Sequence, residues 1–106
     1  MDEKIALHAE NGEIVPDHSM IKTPEQIEKI RESAKLNTAV LDHVEKHIHA
    51  GMSTEEIDRL VYDFTTQHGG IPAPLNYQGF PKSVCTSINN EICHGIPDES
   101  IILQEG

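Results

Sequence analysis

Two helix-start signals, one after the other along the chain, constrain its fold more than any other feature. Residues Thr23–Gln26 offer an N-cap hydroxyl, a proline at the first helical position and a glutamine three residues after the cap. Residues Ser53–Glu56 form a second capping box. Such boxes satisfy the backbone N–H groups that a helix start leaves without partners. The sequence therefore predicts helices over 24–49 and 54–68, with Gly51 as a left-handed stop between them.

Apolar residues follow each start at helical spacing and predict the face that each helix buries. The predicted stripe of the first helix is Ile27, Ile30, Ala34, Leu41, Val44 and Ile48. The predicted stripe of the second helix is Ile57, Leu60, Val61 and Phe64. Because few residues separate the helices, we expect them to pack as neighbours against a common third layer.

The chain beyond the second helix changes from helical to strand-like character. Pro72 and Pro74 exclude a helix interior, and a loop follows them. The chain then alternates, is rich in Val, Thr and Ile, and meets Asn89-Asn90, which can adopt the positive φ angles of a tight turn. This pattern predicts a β-hairpin over 82–95 as the third layer.

The predicted hairpin assigns a face to each cysteine. A two-residue turn at Asn89-Asn90 would place Cys85 and His94 on one face and Cys93 on the other. A disulfide between the cysteines would then require a slip in register. Two cysteines in 106 residues are far fewer than a disulfide framework needs, so free thiols in a reducing compartment are predicted.

The length of 106 residues suits one domain with one core. Residues 1–20 hold five carboxylates against one lysine and show no sustained period, so we interpret them as an acidic extension before a domain over 21–106. A weak strand or hairpin around Asn11-Gly12 is the competing interpretation.

Charge and hydropathy exclude several classes of partner. Eighteen acidic against eight basic side chains give a formal charge of -10, which repels phosphate and disfavours nucleic acid and anionic lipid. No apolar run approaches ~20 residues and no signal-like start is present, so neither a membrane span nor secretion is expected. The predicted compartment is the cytoplasm.

His43 and His47 stand four residues apart and could share one helix face, as zinc-binding histidines do. No neighbouring cysteine or third histidine completes a tetrahedral set in the sequence. The favoured interpretation is therefore a solvated helix face.

The most specific stretch runs from Asn76 to Pro97 and reads NYQGFPKSVCTSINNEICHGIP. It resembles the N-terminal half of a type I methionine aminopeptidase, and Ile21–Glu25 and Gly51–Thr54 match the opening helices of that family. The resemblance covers nearly all of residues 20–106. It implies an α+β chain that forms the N-terminal half of a pita-bread (creatinase/aminopeptidase-like) fold, with two helices packed on a β-hairpin and an incomplete sheet.

The resemblance implies a dinuclear metalloenzyme that removes the initiator methionine from new polypeptides with a small second residue. His94 matches the family histidine that hydrogen-bonds the scissile peptide and stabilises the transition state. Tyr77, Phe80 and Cys85 match part of the pocket for the methionine side chain, whose thioether suits aromatic edges and sulfur. The implied partners are nascent polypeptide N-termini and the ribosome.

The resemblance also implies two divalent metal ions, cobalt, manganese, iron or zinc, held by two aspartates, one histidine and two glutamates. The family places these ligands after a Leu-x-x-Gly-Asp motif, and this chain stops at Leu103–Gly106. No residue is therefore assigned as a metal ligand, and the 106 residues alone are expected to be inactive. The alternatives are a non-catalytic peptide- or protein-binding module derived from the same fold, and an unrelated acidic helix-hairpin interaction domain.

Overall fold

The computed structural model describes residues 2–106 as three α-helices joined by turns and loops. The helices are α1 Asp2–Glu10, α2 Pro24–His47 and α3 Thr54–Gln67, with short 3-10 helices at His18–Met20 and Tyr77–Gly79. The chain divides into two compact units, one ending at Arg31 and the other spanning Glu32–Gly106. None of the helices in this described part is both long and apolar enough to cross a bilayer.

Both predicted helix starts are confirmed. At α2 the backbone N–H of Thr23 donates to Gln26 Oε1 at 2.9 Å, and the N–H of Gln26 donates to Thr23 Oγ1 at 3.2 Å. At α3 the N–H of Ser53 donates to Glu56 Oε2 at 2.7 Å, and the N–H of Glu56 donates to Ser53 Oγ at 3.2 Å. The bond from the Ser53 backbone holds the pKa of Glu56 below its usual value. The helices end within two residues of the predicted positions.

The core of the second unit contains the stripe predicted for α3. The buried apolar residues of this core are Val40, Met52, Ile57 and Val61. Half-buried apolar residues that pack against them are Leu36, Val44, Leu60, Phe64, Val84 and Leu103. All four predicted residues of α3 therefore belong to the core.

The stripe predicted for α2 is wrong apart from Val44. Leu41 is 63% exposed, and Ile48 is exposed too. Leu36, Val40 and Val44, spaced by four residues, contact the core instead. A long helix rich in apolar residues offers more than one stripe, and the position of α3 decides which of them is buried.

The acidic segment before Thr23 contains more local structure than its lack of periodicity indicated. It forms α1, none of whose residues is buried, and the Gly12 N–H donates to Ala9 O at 3.0 Å beyond the helix end. Gly12 adopts a φ of +76°, the left-handed conformation that commonly ends helices. The competing hairpin at Asn11-Gly12 is wrong, because these residues terminate a helix rather than connect strands.

The predicted β-hairpin over 82–95 is also wrong, because this segment contains no strand. Its turn is present, since the Glu91 N–H donates to Ile88 O at 3.1 Å. Of the two turn asparagines only Asn89 has a positive φ, whereas the tightest hairpin turn needs two such residues. A second positive φ, at His94, interrupts the segment that was predicted to form the second strand of the hairpin. The result is a turn flanked by irregular chain.

The C-terminal segment pairs with the chain that leads into α3. Leu103 N donates to Met52 O at 2.8 Å, and Gly51 N donates to Leu103 O at 2.9 Å. Between residues 2 and 106, the only β pairing is an isolated antiparallel bridge from Ser53 to Ile102. These contacts attach the end of the chain to the segment that leads into α3.

Candidate functional site: a pocket between two loops

The first wall of the candidate site is a loop that closes on itself between Pro74 and Phe80. The backbone N–H of Asn76 donates to Phe80 O, and that of Phe80 donates to Tyr77 O, both at 2.9 Å. Asn76 and Gln78 adopt positive φ angles of 64° and 49°, which allow so tight a path. The closed loop presents the rings of Tyr77 and Phe80 to one cavity.

The second wall comes from residues 85–96. The Thr86 N–H donates to Gly95 O at 2.8 Å and joins the two ends of this segment. A Cβ atom on Gly95 would lie 2.4 Å from Thr86 O, so only glycine permits this approach. The joined ends bring Cys85 and His94 to the same cavity.

The two walls line an open cavity of about 680 Å³, a size within the ~300–1,000 Å³ usual for small-molecule sites. All four residues predicted for the site line it: Tyr77, Phe80, Cys85 and His94. Phe80 is half-buried and Tyr77 is 67% exposed, so aromatic surface is open to a ligand. Ile96 also lines the cavity and was missed. The available signal was that Ile96 lies within Cys93–Pro97, part of the run on which the family resemblance depends.

The cavity is largely apolar, and the imidazole of His94 is the one histidine ring on its lining. Outside the lining, Lys82 Nζ donates to Glu55 Oε2 at 2.5 Å, and this bond raises the pKa of Lys82 above its usual value. The arrangement suits a ligand with a soft apolar side chain beside a polar group that an imidazole can hydrogen-bond.

No donor set for a metal accompanies the cavity. Among residues 2–106, no group of three or more His, Cys, Asp or Glu side chains is placed to hold a metal ion. His43 stacks on Phe64 at 4.5 Å between ring centroids, and His47 Nδ1 lies 2.7 Å from His43 O. His43 is therefore half-buried against α3, whereas His47 is exposed, as the interpretation of a solvated face predicts.

Comparison with known proteins gives consistent matches over most of the chain. The model of metallopeptidase family M24 matches residues 28–106. Methionine aminopeptidase 1A of Arabidopsis thaliana is 58% identical over 78 residues, which are 74% of this chain and 20% of the relative. Methionine aminopeptidase of Escherichia coli K12 is 46% identical over 87 residues, which are 81% of this chain and 33% of the relative.

A solved structure agrees with these sequence matches. The crystal structure of methionine aminopeptidase from Rickettsia prowazekii superposes with a TM-score of 0.77 at 44% identity, over 81% of this chain and 34% of that one. The chain thus spans between a fifth and a third of the length of the relatives described here.

Proposed function

The chain belongs to metallopeptidase family M24, and from this membership we propose that it supplies the methionine-recognition part of a methionine aminopeptidase. The observation that carries the proposal is the convergence of Tyr77, Phe80, Cys85 and His94 on one cavity. The names of the matched relatives support the same activity. The proposed substrates are new polypeptides with an N-terminal methionine, met in the cytoplasm as they leave the ribosome.

The cavity is proposed to bind the methionine side chain. Two aromatic rings and the Cys85 sulfur form a polarizable surface, and thioethers make favourable contacts with aromatic edges. The ring of Phe80 is half-buried and is therefore held more rigidly in the cavity than the exposed ring of Tyr77. Apolar contacts in the cavity therefore select the methionine side chain, and polar groups at its edge recognise the rest of the substrate.

His94 is proposed to hydrogen-bond the scissile peptide. Its imidazole shares the cavity with the proposed side-chain pocket, so a bound methionine would have its carbonyl group near this ring. A donor aimed at charge that develops on a carbonyl oxygen typically contributes ~10²–10³ in rate. We propose that His94 supplies this donor.

Divalent metals are implied by the metallopeptidase family, and the described residues do not fit a metal site. No step of the reaction is therefore assigned to a metal held by these residues. We propose that the 106-residue chain by itself binds methionine and releases none. The same cavity would serve a second candidate function, a non-catalytic module that binds peptide N-termini.

A chimera distinguishes the two functions. Residues of this chain would replace the matching 87-residue segment of the Escherichia coli relative. Metal-dependent release of methionine from Met-Gly-Met by the chimera is expected, and His94→Ala in the chimera should lower the rate by about 10²-fold. Gln78→Ala is the matched control, since it changes another lining residue that has no proposed role in the chemistry.

The outcomes distinguish the two candidate functions and test the role of His94. A folded chimera that binds Met-Gly-Met without releasing methionine would favour the binding module. Full turnover in the His94→Ala chimera would remove the role proposed for that side chain. Loss of turnover in Gln78→Ala as large as in His94→Ala would indicate general damage to the pocket instead.

A further inference from the structure

We propose that Asp58 is a positioning residue that fixes the second wall of the pocket. Its carboxylate lies on α3, outside the cavity lining, and holds the backbone of Ser83 two residues before Cys85. The proposal rests on the methionine pocket described above, because it concerns how that pocket keeps its shape.

The contact between Asp58 and Ser83 is short, buried and long-range. The Ser83 N–H donates to Asp58 Oδ1 at 2.6 Å, across 25 residues of sequence. Asp58 is 8% exposed and Ser83 is 4% exposed. Hydrogen bonds to charged acceptors are stronger than neutral ones, and a buried N–H that loses its acceptor is strongly disfavoured. The carboxylate of Asp58 therefore fixes the position of the backbone that leads from Ser83 to Cys85.

A neighbouring ion pair acts on the same stretch of chain. Glu55, one turn before Asp58 on α3, accepts from Lys82 Nζ at 2.5 Å. Consecutive residues Lys82 and Ser83 are thus held by two acidic side chains of one helix face. Segment 82–85 contains no strand, so these side-chain contacts replace the ladder that would otherwise fix it. The buried bond of Asp58 is the one least open to competition from water.

Amide hydrogen exchange on the 106-residue chain tests positioning without any ligand. In Asp58→Ala the Ser83 amide should exchange about tenfold faster, with Val84 and Cys85 following, because the buried N–H has lost its acceptor. Asp58→Asn keeps an acceptor oxygen and should restore slow exchange to within about threefold. Asp63→Ala changes an exposed aspartate of the same helix and should leave these amides unchanged.

Amide exchange in the core of α3 distinguishes a local positioning role of Asp58 from a general effect on stability. Amides of Val61 and Phe64 should keep their rates in Asp58→Ala when only the wall is released. Equal acceleration of those amides and of Ser83 would overturn the proposal in favour of a purely structural role. Unchanged exchange at Ser83 in Asp58→Ala would overturn it outright.

Titration with L-methioninamide tests whether the Asp58 contact affects binding in the pocket. Binding followed by chemical shifts at Cys85 should weaken about tenfold in Asp58→Ala and recover in Asp58→Asn. Cys93, which does not line the cavity, serves as the internal reference. Equal affinity in Asp58→Ala and the parent chain would overturn the link to the pocket. Absence of binding in every form, with the exchange results as expected, would refute the methionine pocket and leave Asp58 as the anchor of the wall.

Discussion

Helix α3 and the segment after it, residues 82–103, keep their shapes by different means. The start of α3 is fixed by a capping box within four consecutive residues, and its apolar stripe enters the core. The later segment is held by single hydrogen bonds to distant residues, such as those of Asp98 to Thr54. A helix that satisfies its own backbone needs little outside help, whereas irregular chain depends on partners remote in sequence.

This difference explains where the candidate site lies. Neither wall of the pocket contains an α-helix or a strand, so the walls can place a ring, a thiol and an imidazole together without the constraints of a β-ladder. Asp58 and Glu55 of α3 hold Ser83 and Lys82, which lead into the second wall. The position of the second wall therefore depends on these attachments to α3.

Removal of the Ile57 side chain should have the largest effect on stability. Ile57 is buried in the core of α3, and Ile57→Ala should lower the free energy of unfolding by about 3 kcal/mol through lost burial and a residual cavity. Leu41→Ala is the control, because this member of the mispredicted α2 stripe is largely exposed and should cost less than about 0.5 kcal/mol. Urea unfolding measures both. Equal losses would contradict the buried face assigned to α2.

Thr54 joins the two regions and should be the next most sensitive position. Its fully buried hydroxyl donates to Asp98 O at 3.0 Å and accepts from Asp98 N at 2.9 Å. Thr54→Val leaves the Asp98 N–H without its acceptor and leaves Asp98 O with only the Ile101 N–H as donor, and should cost about 2 kcal/mol in urea unfolding. Thr54→Ser keeps the hydroxyl and should cost about 1 kcal/mol for the lost methyl group. A valine variant as stable as the serine variant would show that the segment does not depend on this contact.

The capping box of α3 should contribute a smaller and local amount. Ser53→Ala removes the acceptor for the Glu56 N–H and should lower the free energy of unfolding by about 1 kcal/mol. Glu56→Gln keeps an acceptor oxygen for the Ser53 N–H and should cost less. Thermal unfolding followed by helical circular dichroism checks the order, and the prediction fails when the glutamine variant is the less stable one.

The smallest expected effect is a dependence of stability on pH at the contact between α2 and α3. Desolvation, followed by the charges of His47, Lys46 and His68, holds the pKa of His43 below its ordinary value of 6.5. The unfolded chain therefore binds a proton at this site more readily, and stability should fall as pH decreases below about 6.5.

Urea unfolding between pH 7.5 and 5.5 measures how steeply the free energy of unfolding changes with pH, and this slope should flatten in His43→Gln. The slope should decrease less in His68→Gln, since that change removes only one of the causes of the lowered pKa of His43. An unchanged slope in His43→Gln would place the dependence on another group. The carboxylates with lowered pKa, such as Glu56, act at lower pH, because their stabilisation is lost only below their ordinary value of 4.5.

The site was predictable only in part from single residues. The grouping of Tyr77 and Phe80 with Cys85 and His94 followed from a resemblance over a long run of sequence, and the structure gathers all four in one cavity. From the local pattern, only the predicted hairpin placed Cys85 beside His94. The Thr86 to Gly95 hydrogen bond and the close approach at Gly95 do so without strands.

The sequence by itself determined what depends on neighbours along the chain. Both capping boxes, the ends of α2 and α3 and the buried stripe of α3 follow from residues within one or two turns of each other. Tertiary structure alone decided that α2 buries Val40 rather than Leu41, and that residues 82–95 form a turn without strands. It also decided that the chain end packs on Met52. The physical reason is that burial and strand pairing require partners distant in sequence, whose positions no local pattern contains.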